Sequence, residues 1–296
     1  MSPDPADPAE PAHPVDPADP ADAAAAAGPD TPGLHATAIG HGPRLVMAHG
    51  FTQTGNVWGT LDILLAADYQ VVRADMPGHG GSGRVRADLT EGARRLGALG
   101  GRASYLGYSM GARFCLHLAL DQPELVDSLI LVSGTAGIED PGERAARRAA
   151  DDRLADQLDP PLPGSHPIDE PDADQARLDS FLHRWLDIPL LAGVPTEANG
   201  FAERRRNTGP GLASSLRLAG TGTQLPLWEQ LGGLAMPVLV ITGERDDKFT
   251  TIGGRMVDAI GENATQAVVA RAGHSPHLEH PTRVAEVIRT FLGSHR

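Results

Sequence analysis

Three segments of the sequence contain a serine, an aspartate and a histidine that together could carry out proton transfer. Ser109 is the centre of a G-x-S-x-G pentapeptide, Asp246 lies in a G-x-x-D segment, and His274 directly follows a glycine. A serine hydroxyl is a weak nucleophile and a weak base until an imidazole takes its proton, and the imidazole needs a carboxylate to orient it. The pattern predicts catalysis by Ser109, with His274 as the base and Asp246 as the acid.

On the sequence alone, Asp246 and His274 each have nearby residues of the same type as alternatives. Asp247 directly follows Asp246 and is an alternative for the carboxylate. His277 and His280 lie close to His274, but neither directly follows a strand and a glycine. We therefore interpret His277 and His280 as helix-start or surface residues.

The serine pentapeptide has the local context of a nucleophile elbow. An apolar, strand-like run precedes it, and a helix-like run begins at Met110. A sharp strand-to-helix turn needs glycine neighbours for steric room, and it presents the serine beside a helix N-terminus that favours negative charge. Donors for a developing oxyanion are expected from the backbone N–H of Met110 and from that of Phe51, in the loop after another apolar run.

Short apolar runs that end in turn signals alternate with helix-length segments along most of the chain. Nearly continuous apolar runs are typical of strands buried on both faces, as in a parallel sheet between helices. The alternation predicts the α/β class, with a mainly parallel central sheet and helices on both faces. The predicted strands are Leu45–Ala48, Gln70–Ala74, Ser104–Gly107, Leu129–Ser133, Val238–Thr242 and Ala267–Ala270, with a weaker edge strand at His35–Gly40. The predicted helices are Trp58–Ala67, Asp88–Leu99, Met110–Asp121, Arg255–Gly261 and Pro281–Leu292.

The alternation of strands and helices stops in the middle of the chain. Residues 135–235 contain no convincing strand, and we interpret them as an inserted helical lid. The core domain is then formed by residues 34–134 and 236–296. Helical patterns within the insertion cover Pro141–Leu158, Asp174–Leu186 and Thr196–Asn207.

The first 33 residues differ in composition from the rest of the 296-residue chain. They contain six Asp, one Glu and no Lys or Arg, so they contribute more than half of the formal net charge of −13. Repeated prolines remove backbone donors, and nothing in residues 1–33 can form a core, which predicts a disordered tail. The acidic balance argues against a nucleic-acid-binding surface, which needs clustered basic residues.

The cysteine content and the hydropathy pattern predict a cytoplasmic protein without a membrane segment. Cys115 is the single cysteine, so no intrachain disulfide can form; we expect it to be a small buried apolar side chain in a reducing compartment. No apolar run is long enough to span a bilayer, and the N-terminus lacks the features of a signal peptide. We find no metal-ligand spacing and no nucleotide-binding glycine motif, so no metal and no cofactor is expected.

Longer segments around these residues resemble a known family. In chain order they are HGFTQTGNVW (49–58), DMPGHGGSG (75–83), GYSMGAR (107–113), GLASSLRLAGTGTQLPLW (211–228), GERDDKF (243–249) and AGHSPHLEHP (272–281). The order of HG, GYSMG, G-x-x-D and GH is similar to that of the α/β-hydrolase superfamily. The longer segments resemble its 2-succinyl-6-hydroxy-2,4-cyclohexadiene-1-carboxylate synthases of menaquinone biosynthesis. The resemblance extends over residues 44–292 and leaves out the acidic tail.

The resemblance implies a lyase on a hydrolase fold. The family eliminates pyruvate from 2-succinyl-5-enolpyruvyl-6-hydroxy-3-cyclohexene-1-carboxylate, after proton abstraction through the serine of the triad. It implies a small polycarboxylate as the substrate and neither a cofactor nor a protein partner, nucleic acid or integral membrane segment.

The resemblance also implies a substrate pocket rich in arginine, whose guanidinium group matches a carboxylate better than an ammonium group does. The implied pocket residues are Arg113, Arg147, Arg204, Tyr108 and Trp185. For the two lid arginines, the neighbours Arg148, Arg205 and Arg206 are alternatives.

Three other functions remain open on the sequence. A carboxylester hydrolase or a carbon–carbon bond hydrolase would use the same triad, but it would not need arginines converging on one pocket. A relative that only binds a ligand would not need the complete triad. A scaffold recruited through the acidic tail would lose its function on deletion of residues 1–33, whereas an enzyme would retain nearly normal activity.

Overall fold

The computed structural model describes residues 33–160 and 171–295. The predicted disordered tail, apart from Gly33, and residues 161–170 of the predicted lid lie outside these residues. The strands are β1 (Ala36–Ile39), β2 (Arg44–Ala48), β3 (Gln70–Ala74), β4 (Ala103–Tyr108), β5 (Val126–Val132), β6 (Val238–Gly243) and β7 (Ala264–Val269). The helices are α1 (Leu61–Leu65), α2 (Leu89–Gly100), α3 (Met110–Asp121), α4 (Pro141–Leu158), α5 (Pro171–Leu186), α6 (Phe201–Arg204), α7 (Gly209–Ala219), α8 (Asp247–Ile260), α9 (Pro276–Glu279) and α10 (Pro281–Gly293).

The strands form one seven-stranded sheet in the order β1-β3-β2-β4-β5-β6-β7. Strand β1 is antiparallel to β3, and every other neighbouring pair is parallel. The carboxyl ends of β2, β4, β5 and β6 therefore meet at one edge of the sheet, which is where open α/β sheets place their sites. This arrangement confirms the predicted mainly parallel sheet and the predicted edge strand, which the structure shows to be antiparallel.

Helices cover both faces of the sheet because the central strands are apolar on both sides. On β2, Leu45 and Met47 face α1 and α10, whereas Val46 and Ala48 face α2 and α3. This alternation is what the pleat of a strand requires. All four side chains are fully buried. Cys115 is likewise buried with a free thiol, as predicted, in the core on the α3 side.

The described residues between β5 and β6 form helices that are joined by loops and 3₁₀ turns. Helices α4, α5 and α7 share an apolar core of their own, separate from the two cores beside the sheet. Its buried members are Ala155, Leu158, Leu178, Phe181, Leu182, Leu212, Ala213 and Leu216. No described residue between 135 and 235 belongs to a strand, as the sequence predicts. The interpretation of this segment as a lid remains a prediction.

Some element boundaries differ from the predicted ones. Helix α8 begins at Asp247 rather than at Arg255, because the Asp246 carboxylate accepts a hydrogen bond from the Phe249 amide (3.2 Å) and caps the helix. Helix α7 was not predicted, because its first residues are rich in glycine, which disfavours a helix. In the structure the Thr208 hydroxyl caps this helix by accepting from the Gly211 amide (3.2 Å).

The remaining differences concern the ends of short elements. Helix α1 is shorter than the predicted segment 58–67, and strand β7 begins and ends earlier than the predicted Ala267–Ala270. The predicted helix Thr196–Asn207 is divided into a 3₁₀ turn and α6 by Gly200, whose φ of +69° interrupts the helix. In the part of the chain that the structure describes, no helix is long and apolar enough to cross a membrane.

Candidate active site

Ser109 lies in the turn between β4 and α3 with a strained backbone. Its φ is +50° and its ψ is −102°, a conformation that costs free energy for any residue other than glycine. The turn tolerates no side chain on the flanking glycines. A Cβ on Gly107 would overlap the backbone of the first turn of α3, and one on Gly111 would overlap the carbonyl of Ala48. The glycines of the pentapeptide are therefore steric requirements of the turn.

The structure brings Ser109, Asp246 and His274 together in a continuous hydrogen-bonded chain. His274 Nδ1 lies 2.7 Å from Asp246 Oδ2, and His274 Nε2 lies 3.3 Å from Ser109 Oγ. Asp246 and His274 are both buried. Asp247 is exposed in the first turn of α8, so the geometry selects Asp246 for contact with the imidazole.

Aromatic rings enclose the imidazole of His274. The Phe249 ring packs edge-on at a centroid distance of 4.4 Å, and the Tyr108 ring lies at 5.7 Å. The Tyr108 hydroxyl lies 2.6 Å from Ser275 Oγ, and burial raises the pKa of Tyr108 to about 12. Tyr108 is therefore a neutral hydrogen-bonding group at physiological pH, and it restricts the access of water to His274.

The backbone N–H groups of Met110 and Phe51, which were predicted as oxyanion donors, have no acceptor among the described residues. Met110 is the first residue of α3, so its N–H has no partner within the helix. Next to Phe51, the Gly50 amide donates to Gln53 Oε1 (2.8 Å) and the Thr52 amide donates to His79 Nε2 (3.3 Å). The Phe51 amide itself has no acceptor among the described residues.

Two buried histidines support this loop as neutral acceptors. His49 Nε2 accepts from the Met76 amide at 3.0 Å, and His79 accepts from Thr52, whose φ is +66°. Burial lowers the pKa of His49 to about 4 and that of His79 to about 3. Both rings are therefore uncharged near pH 7, which leaves a lone pair for each of these bonds.

Asp75 links the same loop to the glycine-rich segment after β3. Its carboxylate accepts from the amides of Gly55 (2.7 Å) and Gly81 (2.8 Å), and it lies 2.9 Å from His35 Nδ1. Burial alone would raise the pKa of Asp75, but these hydrogen bonds and the nearby His49 lower it below its usual range. The segment 75–83 thus has a structural function, because it holds the loop after β2 in place.

A cavity of about 580 Å³ opens above Ser109. The residues that the resemblance implied, Tyr108, Arg113, Arg147, Trp185 and Arg204, all line it, as do Phe51, Ser109, Met110 and His274. Arg205 pairs with Asp179 at 2.7 Å and Arg206 with Glu203 at 3.3 Å, and neither lines the cavity, nor does Arg148. The geometry therefore favours Arg147 and Arg204 over their neighbours.

Two of the arginines that line the cavity have carboxylate partners. Arg147 Nε donates to Asp151 Oδ1 at 2.8 Å, and Arg255 donates to Glu139 at 2.9 Å while it stacks on the Trp228 ring. These pairs are balanced in charge. The other charged side chains that line the cavity are the cations Arg113, Arg204 and Lys248 and the carboxylates Asp140 and Glu143.

Arg113 and Arg204 are buried without a carboxylate partner. Arg113 donates to the Ala219 carbonyl at 2.7 Å; Arg204 donates to the Asn199 carbonyl at 2.7 Å and also to Thr52 Oγ1. No carboxylate of the described residues lies within 4.0 Å of either guanidinium group. Burial lowers the pKa of both to about 10, so both remain cations at pH 7. Because an unpaired buried cation is costly, the cavity is suited to an anionic ligand.

The interpretation of His277 as a helix-start or surface residue is wrong about its exposure. His277 lies within α9 and is fully buried, with its ring 4.2 Å from that of Tyr108 and 5.4 Å from that of Trp58. Neither ring nitrogen has a partner among the described residues. His280 is half-buried at the start of α10. Sequence reasoning missed the burial because it depends on how α9 packs beneath the site.

The burial of His277 predicts a loss of stability in acid. Burial lowers its pKa to about 3, with smaller effects from His274 and Arg204, so below the unfolded-state pKa of 6.5 only the unfolded chain gains a proton. Stability then falls as the pH falls from 6.5 towards 3. At pH 5 this group costs about 2 kcal/mol, and His277→Phe should recover that amount relative to pH 8. Urea unfolding of both proteins at the two pH values measures it, and equal effects of the substitution at pH 5 and pH 8 would contradict it.

Several residues that line the cavity were not predicted as site residues. Among them are Gln53, Ser133, Asp151, Lys248 and Phe249. Gln53 and Lys248 lie within segments that carry the resemblance, so their positions were accessible from the sequence. Nothing in the sequence distinguishes Ser133 or Asp151, which depend on the packing of the helical insertion and the strand ends.

The comparison with family models decides the family. The model described as the α/β hydrolase fold matches residues 43–281. The chain belongs to the α/β-hydrolase fold family. The match confirms the predicted fold class, and it spans the core and the helical insertion alike.

Individual relatives of this α/β-hydrolase fold protein are named as enzymes. A putative 2-succinyl-6-hydroxy-2,4-cyclohexadiene-1-carboxylate synthase of Bacillus subtilis is 31% identical, over 84% of this chain and 90% of the relative. The structure of MenH from S. aureus superposes with a TM-score of 0.77 at 26% identity and covers 88% of this chain and 98% of that one. A pimeloyl-[acyl-carrier protein] methyl ester esterase of Xanthomonas campestris is 30% identical, over 88% and 99%. These relatives confirm the resemblance to the synthases and the prediction of an enzyme.

The described residues of this α/β-hydrolase fold protein contain no group of three or more His, Cys, Asp or Glu side chains that could hold a metal ion.

Proposed function

We propose that this protein is a carbon–oxygen lyase. It eliminates pyruvate from 2-succinyl-5-enolpyruvyl-6-hydroxy-3-cyclohexene-1-carboxylate and yields 2-succinyl-6-hydroxy-2,4-cyclohexadiene-1-carboxylate. The observation that carries the proposal is that two buried cations, Arg113 and Arg204, line the cavity above Ser109 without a carboxylate partner among the described residues. The substrate has carboxylates on its succinyl, ring and enolpyruvyl groups, so it supplies the partners that these two arginines lack.

Arginine is suited to this task because its planar guanidinium group binds a carboxylate through two parallel hydrogen bonds. Arg113 comes from α3 of the core and Arg204 from α6 of the helical insertion. Arg147 is a third candidate, once its bond to Asp151 is exchanged for one to the substrate. Binding at two or three points would fix the ring relative to Ser109.

The proposed reaction begins with the removal of a ring proton. Ser109 Oγ accepts this proton as its own hydroxyl proton passes to His274 Nε2, and Asp246 stabilises the resulting imidazolium ion. The electron pair of the broken C–H bond forms an enolate, whose oxygen is bound by the Phe51 and Met110 amides. The enolate then collapses: its carbonyl re-forms, a C2=C3 bond forms in the ring, the ring C3=C4 bond moves to C4=C5, and the C5–O bond to the enolpyruvyl group breaks. The leaving pyruvate enolate takes up the proton from His274 and becomes pyruvate.

The helical insertion would serve as the lid in this proposal. Trp185 of α5 packs edge-on against Phe51 of the oxyanion loop, with their ring centroids 5.1 Å apart. An aromatic cover at this position excludes water, which strengthens the interactions of the arginines with the substrate and protects the enolate from protonation.

The proposed location of the enzyme is the cytoplasm. A chain with a single cysteine cannot form an intrachain disulfide, which is typical of proteins in a reducing compartment.

A second candidate function is the hydrolysis of a carboxylester. The 30% identity to the Xanthomonas campestris esterase favours it, and the same triad and the same two amides would serve a tetrahedral intermediate. The arginine pair is the observation against a neutral ester substrate, because neutral esters give buried cations no counter-charge.

Pyruvate release tests the proposal against this second candidate. Wild-type protein, Ser109→Ala and the control Ser104→Ala receive the enolpyruvyl substrate, and a p-nitrophenyl ester in a parallel assay. Ser104 is half-buried at the opposite end of the same strand β4. We expect rapid pyruvate release that Ser109→Ala lowers by about 10³-fold or more and Ser104→Ala leaves intact. Rapid ester cleavage with pyruvate release no faster than the uncatalysed rate would overturn the lyase proposal in favour of a hydrolase.

A further inference from the structure

The Gln53 side chain is a buried polar group whose hydrogen bonding the described residues leave incomplete. It is 1% exposed and lines the cavity. Its Oε1 accepts from the Gly50 amide at 2.8 Å, whereas its Nε2 has no partner among the described residues. Because Gly50 N–H can only donate, this bond fixes which end of the carboxamide is the oxygen. Nε2 is thus the end that remains for a bound ligand.

The backbone of Gln53 places this free donor in the loop of the predicted oxyanion hole. The Gln53 amide donates to the Gly50 carbonyl at 3.2 Å, which closes a four-residue turn around Phe51. The side-chain bond from Gly50 to Oε1 closes the same turn a second time. The Phe51 N–H and the Gln53 Nε2 therefore belong to one loop, which directly follows β2. Neither group has a partner among the described residues.

We propose that Gln53 Nε2 is a third donor to the substrate oxygen that becomes negatively charged, beside the amides of Phe51 and Met110. This inference rests on the proposed function, and it adds a side-chain donor to a site otherwise built from backbone. A buried donor without a partner costs free energy in the empty enzyme. The hydrogen bond from Nε2 forms as negative charge develops on the substrate oxygen, so it offsets this cost in the transition state. It therefore raises kcat and does not stabilise the bound substrate to the same extent.

The variant Gln53→Glu separates this role from a structural one. A carboxylate can still accept from the Gly50 amide, so the turn is retained, but the donor at the Nε2 position is replaced by a charged acceptor. The control Gln70→Glu adds the same charge at the opposite end of the sheet, where Gln70 Oε1 accepts from Arg44 and a carboxylate can do the same. Neither Gln70 nor Arg44 lines the cavity.

We expect Gln53→Glu to lower kcat by about 10²-fold or more, the usual effect of losing one oxyanion donor. KM should change much less, and Gln70→Glu should match the wild type in both constants. A pH profile provides a signature that a structural role would not produce. As the pH falls through the titration of the introduced carboxyl group, a neutral O–H donor returns, so the ratio of variant to wild-type kcat should rise.

The outcomes distinguish this inference from the proposed function. Unchanged kcat in Gln53→Glu, or a loss of kcat with a ratio that does not rise in acid, overturns the role of Gln53 alone. If the wild type cleaves the p-nitrophenyl ester and releases no pyruvate, the lyase proposal fails. The role of Gln53 is then tested by the pH dependence of the ratio of variant to wild-type kcat for the ester. The oxyanion of its tetrahedral intermediate would occupy the position proposed for the enolate oxygen. A wild type that turns over neither compound overturns both.

Discussion

Asp246→Asn is expected to lower kcat by about 10⁴-fold, the cost of the same change in other Ser-His-Asp triads. The reason is the 2.7 Å bond between Asp246 Oδ2 and His274 Nδ1. An asparagine that turns its NH₂ group towards Nδ1 holds the imidazole in the tautomer with its proton on Nε2. In that tautomer Nε2 cannot take the proton of Ser109.

The adjacent residue provides a matched control for this substitution. Asp247→Asn makes the same chemical change one residue further along, on an exposed side chain, and it should leave kcat close to that of the wild type. Asparagine caps a helix as well as aspartate does, so Asp246→Asn should also preserve the start of α8 and the melting temperature. Steady-state kinetics and thermal unfolding of both variants measure this pair. Comparable losses of kcat in both would show that Asp246 is not the acid of the triad.

Arg113→Met is expected to lower kcat/KM for the enolpyruvyl substrate by about 10- to 150-fold, while it stabilises the protein. A hydrogen bond to a charged group contributes about 1.5–3 kcal/mol, which corresponds to that range. In the empty enzyme, however, Arg113 is a buried cation whose described partner is the neutral carbonyl of Ala219. Methionine fills the space without the cost of burying a charge, so the free energy of unfolding should rise by about 1 kcal/mol.

Arg205→Met is the matched control for this second substitution. It removes the same charge from an exposed arginine that pairs with Asp179, and exposed pairs contribute little to stability. We expect no change in kcat/KM and no gain in stability. The comparison requires kinetics with the enolpyruvyl substrate and urea unfolding of all three proteins. An Arg113→Met protein that retains full kcat/KM would remove the main support for a polycarboxylate substrate.

The elements around the nucleophile were predictable because local sequence determines them. The apolar run that became β4, the glycines around Ser109 and the helical run from Met110 each have a strong local preference, and the structure agrees with them to within about a residue. The family resemblance located Arg113, Arg147 and Arg204, which composition could not have distinguished in a chain that contains one lysine and 24 arginines.

Other features were not predictable because they depend on contacts between distant segments. His277 has an unremarkable sequence position, and its burial arises from packing against Trp58 and Tyr108, more than 150 residues away. Gln53 Nε2 has no hydrogen-bond partner among the described residues. This depends on the placement of side chains that are distant in sequence, so no local sequence pattern indicates it. Helix α7 depends on a cap from Thr208 within a glycine-rich run that by itself disfavours a helix.

The helical insertion leaves the sheet after β5 and returns to it at β6, and these two strands are direct neighbours. Because this pair is parallel, the insertion departs from the carboxyl end of β5 and returns to the amino end of β6, at opposite edges of the sheet. Recombination in this segment can replace one set of pocket arginines with another and leave the pairing of Leu129 with Val238 unchanged. Chimeras that carry the insertion of an esterase relative on this core offer a direct way to observe how one scaffold acquires a new substrate.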